Sequence, residues 1–287
     1  MKSGQGERAR QYQRIELTER EIYRRLARLS TGHNRQVLEA IAGDELRHYE
    51  EWRKVTGQEV RARWPTVMLF VALGRLLGLT FALKLMEKAE RYAQGEYARA
   101  AGELSTAEEL RREEEAHEAS LLELLREEHL RYVGAIVLGL NDALVELTGG
   151  LAGLTLALRR PRLVALSGVV VGLAAAMSMA ASAYLATKAE EGGKEPVRSS
   201  AYTGAAYVVT VALLIVPFLI SQSALAALAC SLAASVLIIA AFTFYTAVAL
   251  DRPFGRQFLE MASISMGVAI VSFAIGYLAR AILGVEV

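Results

Sequence analysis

The stretch YVGAIVLGLNDALVELTGGLAGLTLAL, residues 132–158, decides the fold. A helix needs about 20 mostly apolar residues to cross a bilayer. This stretch exceeds that length and interrupts it with two acids, Asp142 and Glu146. Four further apolar runs follow, at residues 162–187, 203–221, 224–250 and 259–283. Short polar gaps separate them: Arg159 to Arg162, Lys188 to Ser200, Ser221 to Ser223, and Asp251 to Gln257. Five such runs in series are foreign to water-soluble folds, so residues 132–287 read as a membrane bundle of about five spans. Small residues such as Gly149-Gly150 and Ala174-Ala175-Ala176 suit close helix–helix approach in lipid.

Upstream the composition inverts. The chain is 53% hydrophobic and 22% charged, but these averages hide a split, with most of the charge in residues 1–131. The N-terminus, MKSGQGERARQYQR, is polar and does not read as a cleavable signal segment. A net charge of +1 gives no reason to expect a nucleic-acid partner, and one cysteine, Cys230, excludes an intrachain disulfide framework. Basic residues near the span ends set orientation. The first domain, the 188–200 gap and the 251–257 gap fall on one side of five spans, which predicts a cytoplasmic N-terminal domain and an outside C-terminus. Arg159, Arg160 and Arg162 oppose that orientation.

Ionisable groups within spans are costly and mark function. Asp142 and Glu146, four apart, are expected on one helix face. In the second span Met177 and Met179 flank Ser178. Carboxylate oxygens with a thioether suit ferrous iron better than calcium or magnesium. On a purely structural reading, the two carboxylates would instead be hydrogen-bonded to Asn141 and Thr148.

Gly139-Leu140-Asn141-Asp142-Ala143-Leu144-Val145 resembles the first-span Asn-Asp-Gly-Leu-Val signature of the vacuolar iron transporter family, and Ala176-Met177-Ser178-Met179-Ala180 resembles its second-span Ser-Met motif. The resemblance covers residues 131 to about 284. It implies a homodimer in the lipid bilayer that exports Fe²⁺, and often Mn²⁺, from the cytoplasm in exchange for protons, with Asp142 and Met179 at the translocation site. A prokaryotic-type cell membrane is the expected location. Two departures stand out. The Gly-Glu-Tyr that usually follows the Ser-Met motif is replaced by Ser182-Ala183-Tyr184, and the gap from Lys188 to about Tyr202 is too short for the Glu-rich metal-binding insert of eukaryotic members.

Residues 7–131 carry apolar residues at helical spacing, as in Ile15, Ile22, Leu26 and Leu29. Four helices are expected, at about 8–30, 33–56, 66–100 and 105–131. Their acids repeat. Glu16 precedes Tyr23 by seven, and Glu45-x-x-His48 follows; Glu90 precedes Tyr97 by seven, and Glu114-x-x-His117 follows. One Glu from each of two helices, with Glu-x-x-His from each of the others, is the ligand set of ferritin-like di-iron bundles. This half resembles the rubrerythrin and erythrin branch of that superfamily over residues 10 to about 130. Glu16, Glu45, His48, Glu90, Glu114 and His117 are then the ligands. Glu19 and Glu87 lie one turn from Glu16 and Glu90 as alternative or additional ligands. The expected cofactor is Fe²⁺ as a di-iron site, with Mn²⁺ or Zn²⁺ as alternatives. No rubredoxin-like Cys-x-x-Cys accompanies it.

The apolar stretch 67–83, broken by Gly74, Arg75 and Gly78, reads as the buried start of helix three or as a dimer or membrane-surface contact, not a sixth span. The expected fold is therefore all-α: a ferritin-like four-helix domain (1–131) followed by a polytopic membrane domain (132–287). The expected function is divalent metal export by proton antiport with metal capture by the first domain, and no catalytic residue is assigned. The alternatives are a membrane-anchored di-iron ferroxidase or peroxidase, and a metal sensor that gates the pore.

Overall fold

The structure, a computed structural model, describes residues 3–89, 132–190 and 195–283. Among these the chain is helical apart from short connections, with no strand. It divides into two compact units, Met1–Glu127 and Glu128–Val287.

In the first unit, α1 (Ser3–Leu29) and α2 (Gly32–Thr56) form an antiparallel hairpin. Its open end is tied by polar contacts. The Gln13 amide donates to the Gln58 carbonyl at 2.9 Å, Thr56 Oγ1 donates to Gln13 Oε1 at 2.8 Å, and Tyr12 stacks on Trp52. α3 (Trp64–Leu77) and a helical stretch at 79–89, here α4, close the core. Ile22, Tyr23 and Leu26 of α1 pack there with Leu38 and Ile41 of α2, Val67 and Phe70 of α3, and Leu83 and Met86 of α4. The expected single helix over 66–100 is interrupted at Gly78, whose φ of 100° and ψ of 156° are open to glycine and strained for residues with a Cβ. α3 alone is about 21 Å long at 1.5 Å per residue, short of a bilayer's roughly 30 Å hydrocarbon core.

Among the described residues the second unit holds five helices long and apolar enough to cross a membrane: α5 (Val133–Leu158), α6 (Pro161–Ala189), α7 (Pro196–Ile220), α8 (Ala224–Ala249) and α9 (Phe254–Leu283). Two starts differ from the hydropathy reading. α7 begins at Pro196, not 203, and α9 at Phe254, not 259. Polar first turns carry little hydropathy signal, yet they are held as helix by side-chain contacts. Tyr132 Oη accepts the Glu195 backbone N–H at 3.0 Å, and the Thr187 hydroxyl donates to Ser199 Oγ at 2.9 Å.

α5 changes neighbours along its length. Its N-terminal half lies on α7, where Gly139 meets the backbone of Thr203 and the Thr203 hydroxyl donates to the Ala135 carbonyl at 3.1 Å. Its C-terminal half lies on α9, with Gly153 against the backbone of Gly276. Because lipid tails are as apolar as leucine, such backbone-to-backbone approach, more than hydrophobic burial, holds spans together. Gly139→Ala and Gly276→Ala would each drive a Cβ into a facing carbonyl. Each is expected to destabilise the unit by about 1–3 kcal/mol, read as a lower melting temperature in detergent. Gly150→Ala, with open space at its Cβ, should melt like the parent chain.

Candidate functional sites

The α1–α2 hairpin brings Glu16, Glu45 and His48 together. One ligand atom from each lies within 4.8 Å of the others. His48 Nδ1 is 3.5 Å from Glu16 Oε2 and 3.8 Å from Glu45 Oε2. The geometry follows from local rules. Three residues along a helix put Glu45 and His48 on one face, and the antiparallel register sets Glu16 opposite. Glu45 is only 4% exposed, and neighbouring Glu19 is also buried. Burial pushes the Glu16 carboxyl up to about 7, with a contribution from Glu45 and against the pull of His48. Hydrogen bonds to Glu16, then to Glu45, raise His48 to about 10. Two carboxylates and an imidazole thus gather in a partly dehydrated niche. Such a donor set fits a borderline divalent cation such as ferrous iron, and the three residues would supply half of a two-metal carboxylate site. Glu87 is half-buried on α4. Glu90, Glu114 and His117 lie outside the described residues.

The second cluster sits midway along α5. Asp142 ends a regular helical segment, and Ala143–Leu147 form a π-helical turn before the α-helix resumes at Thr148. One π turn inserts an extra residue per turn and re-phases the remainder of the helix, a device common at functional sites. It falls where α5 passes from α7 to α9, and each neighbour grips it. The buried Tyr207 of α7 donates its hydroxyl to Glu146 Oε2 at 2.8 Å, and the buried Ser265 of α9 donates to the Leu144 carbonyl at 3.1 Å. The partners differ from the structural expectation. Glu146 is held by Tyr207, and buried atoms Asn141 Oδ1 and Thr148 Oγ1 have no hydrogen-bond partner among the described residues. Asp142 lines an open groove along one α5 face with Gly134, Val137, Leu138, Asn141 and Val145.

The two methionines separate. Met177 is 74% exposed, whereas Met179 packs against the core that contains Leu144 and Tyr207. Two positions along a helix point to opposite sides, so only one of the pair can face the bundle. Tyr207 and Ser265 went unread in the sequence. Tyr207 carried a signal, a phenol in the middle of the apolar run Ala205-Ala206-Tyr207-Val208; Ser265 carried none.

Residues 133–195 match the model of the VIT family, a segment that includes α5 and α6. The match covers both motifs and supports a membrane domain of vacuolar iron transporter type, and with it a membrane protein of metal transport. Comparison with curated proteins and with solved structures returns no match.

Two measurements probe these clusters. Glu45→Gln with His48→Ala should abolish tight Co²⁺ binding by the first unit, read by calorimetry on the full chain beside the single variants; unchanged binding would remove these residues from the ligand set. Tyr207→Phe deletes a hydrogen bond to a charged group, of order 1.5–3 kcal/mol. It should raise the metal KM of transport about tenfold with the maximal rate retained.

Proposed function

We propose that this chain is a divalent metal exporter of the inner or plasma membrane type, moving Fe²⁺, and Mn²⁺ as a second substrate, out of the cytoplasm in exchange for protons. The observation that carries the reading is Asp142 lining the α5 groove, one residue before a π turn that holds Glu146, inside the segment matched by the VIT family. A dication entering the bilayer loses hydration, and fixed carboxylates offset that loss. Asp142 and Glu146 are the carboxylates positioned for it, and Met179 is the soft donor retained on the bundle side.

The same energetics supports a homodimer. Glu146 is exposed on α5, and an open groove runs along the helix from Gly134 to Val145. A charged side chain facing lipid at the centre of a span costs about 2.5–3.5 kcal/mol or more. Covering this face with a second copy removes that cost and encloses the carboxylates in a shared pathway.

In the first unit, Glu16, Glu45 and His48 support metal capture on the cytoplasmic side. With metal bound, the site would supply oxygen and nitrogen donors to ferrous iron. Its role here is to raise the local supply of substrate, a task that the short α6–α7 connection cannot perform.

Purified chain in liposomes is the test. Wild type should take up Fe²⁺ or Mn²⁺ faster under an opposing proton gradient. Asp142→Asn, nearly isosteric, should fold and dimerise normally but lose transport. Wild-type rates in Asp142→Asn would refute the pathway, and gradient-independent rates would refute proton coupling.

A further inference from the structure

One surface of the first unit is used by neither metal cluster. α3 is apolar on both sides. Val67, Phe70 and Gly74, spaced three and four apart, are buried in the core. The opposite stripe, Met68, Leu69, Ala72, Arg75 and Leu76, has the same helical spacing and is exposed. Leu76 is 80% and Met68 58% exposed. A surface helix of a soluble domain normally turns polar residues outward, and large exposed apolar stripes mark an interface.

The charge around this stripe selects the partner. From Val60 to Met86 the sequence contains Arg61, Arg63, Arg75 and Lys84 and no acidic residue. Arg61, Arg63 and Arg75 are exposed. At the N-terminal end Trp64 is partly exposed, with the Arg25 guanidinium 4.7 Å above its ring. A helix too short to span, apolar on its outer face, edged by arginines and ended by a tryptophan has the build of a helix lying in the membrane interface. Arginine stems lie along apolar surface while their heads reach phosphate. A second copy of the same face fits poorly. An isologous contact would set each copy's Arg75 against the apolar stripe of the other, with no acid in the stretch to meet it. The chain's own spans also hold this unit within reach of a bilayer, so a weak surface contact is favoured by proximity.

We propose that α3 is a membrane-surface helix. Its Met68–Leu76 stripe rests in the headgroup–acyl boundary of an anionic leaflet, and its arginines engage lipid phosphates.

The two tryptophans of the chain make this directly testable, because Trp52 is stacked on Tyr12 inside the hairpin. Full-length Trp52→Phe, in which Trp64 is the remaining indole, is reconstituted into vesicles of phosphatidylcholine with or without phosphatidylglycerol, carrying acyl chains brominated close to the headgroup. Trp64 should be strongly quenched, more so with phosphatidylglycerol, and Met68→Glu with Leu76→Glu should relieve the quenching. If Trp52→Phe fails to fold, the emission of wild type minus that of Trp64→Phe reports the same quantity. Quenching of Trp64 that is absent in both lipid mixtures overturns the proposal. Absent quenching together with a disulfide between copies through Met68→Cys, in a Cys230→Ser background, assigns the face to a second copy instead.

Discussion

The second unit depends on the cost of keeping two carboxylates on a helix that must cross an apolar layer. Asp142 and Glu146 cannot be left to lipid, and α5 cannot hide both by simple rotation, because its two halves pack on different neighbours. The π turn at Ala143–Leu147 answers part of that conflict: it brings Glu146 to the Tyr207 hydroxyl while the carboxylate stays on an exposed face of α5. It lets the first half of α5 lie on α7 and the second on α9, and hydroxyls from both neighbours hold the turn itself. Tyr207 supplies the hydrogen bond that Glu146 needs in low dielectric, and Ser265 satisfies a carbonyl where the regular ladder is disturbed.

Close approach makes that arrangement possible. Gly139 against Thr203 and Gly153 against Gly276 bring backbones together where any Cβ would collide. Without those contacts the side chains of α7 and α9 would not reach the π turn. Small residues, which look like filler in a hydropathy profile, therefore set the position of the acids.

The first unit meets the same constraint in a different solvent. Burial of Glu45 and Glu16 would be unfavourable for isolated anions. The imidazole of His48, held between them, offsets the repulsion, and a divalent cation would offset it further. In both units a carboxylate is kept in a partly dehydrated place by one specific partner, tyrosine in one and histidine in the other.

Much of this was legible in the sequence. Five runs of about 20 apolar residues could be little other than spans, and the spacing of Glu45 and His48 fixed their common face whatever the tertiary fold. Repeat order put Glu16 with them as a candidate, and in the hairpin its carboxylate lies within 4.8 Å of their ligand atoms. Other features depended on interactions distant in sequence. The break at Gly78 competes with a continuous helical pattern that runs through it, so periodicity alone gave one helix. The early starts of α7 and α9 carry polar contacts that hydropathy does not weigh, Tyr132 with Glu195 at α7 and Thr246 with Gln257 at α9. The partner of Glu146 lies 61 residues away on another span, and the π turn is set by packing against two helices at once. The sequence by itself determined which segments are helical, which are apolar enough to cross a bilayer and where the acids and histidines fall along them, because length, hydropathy and spacing are local properties. Tertiary structure alone decided which groups hold those residues, because a hydrogen bond between spans depends on how closely their backbones approach.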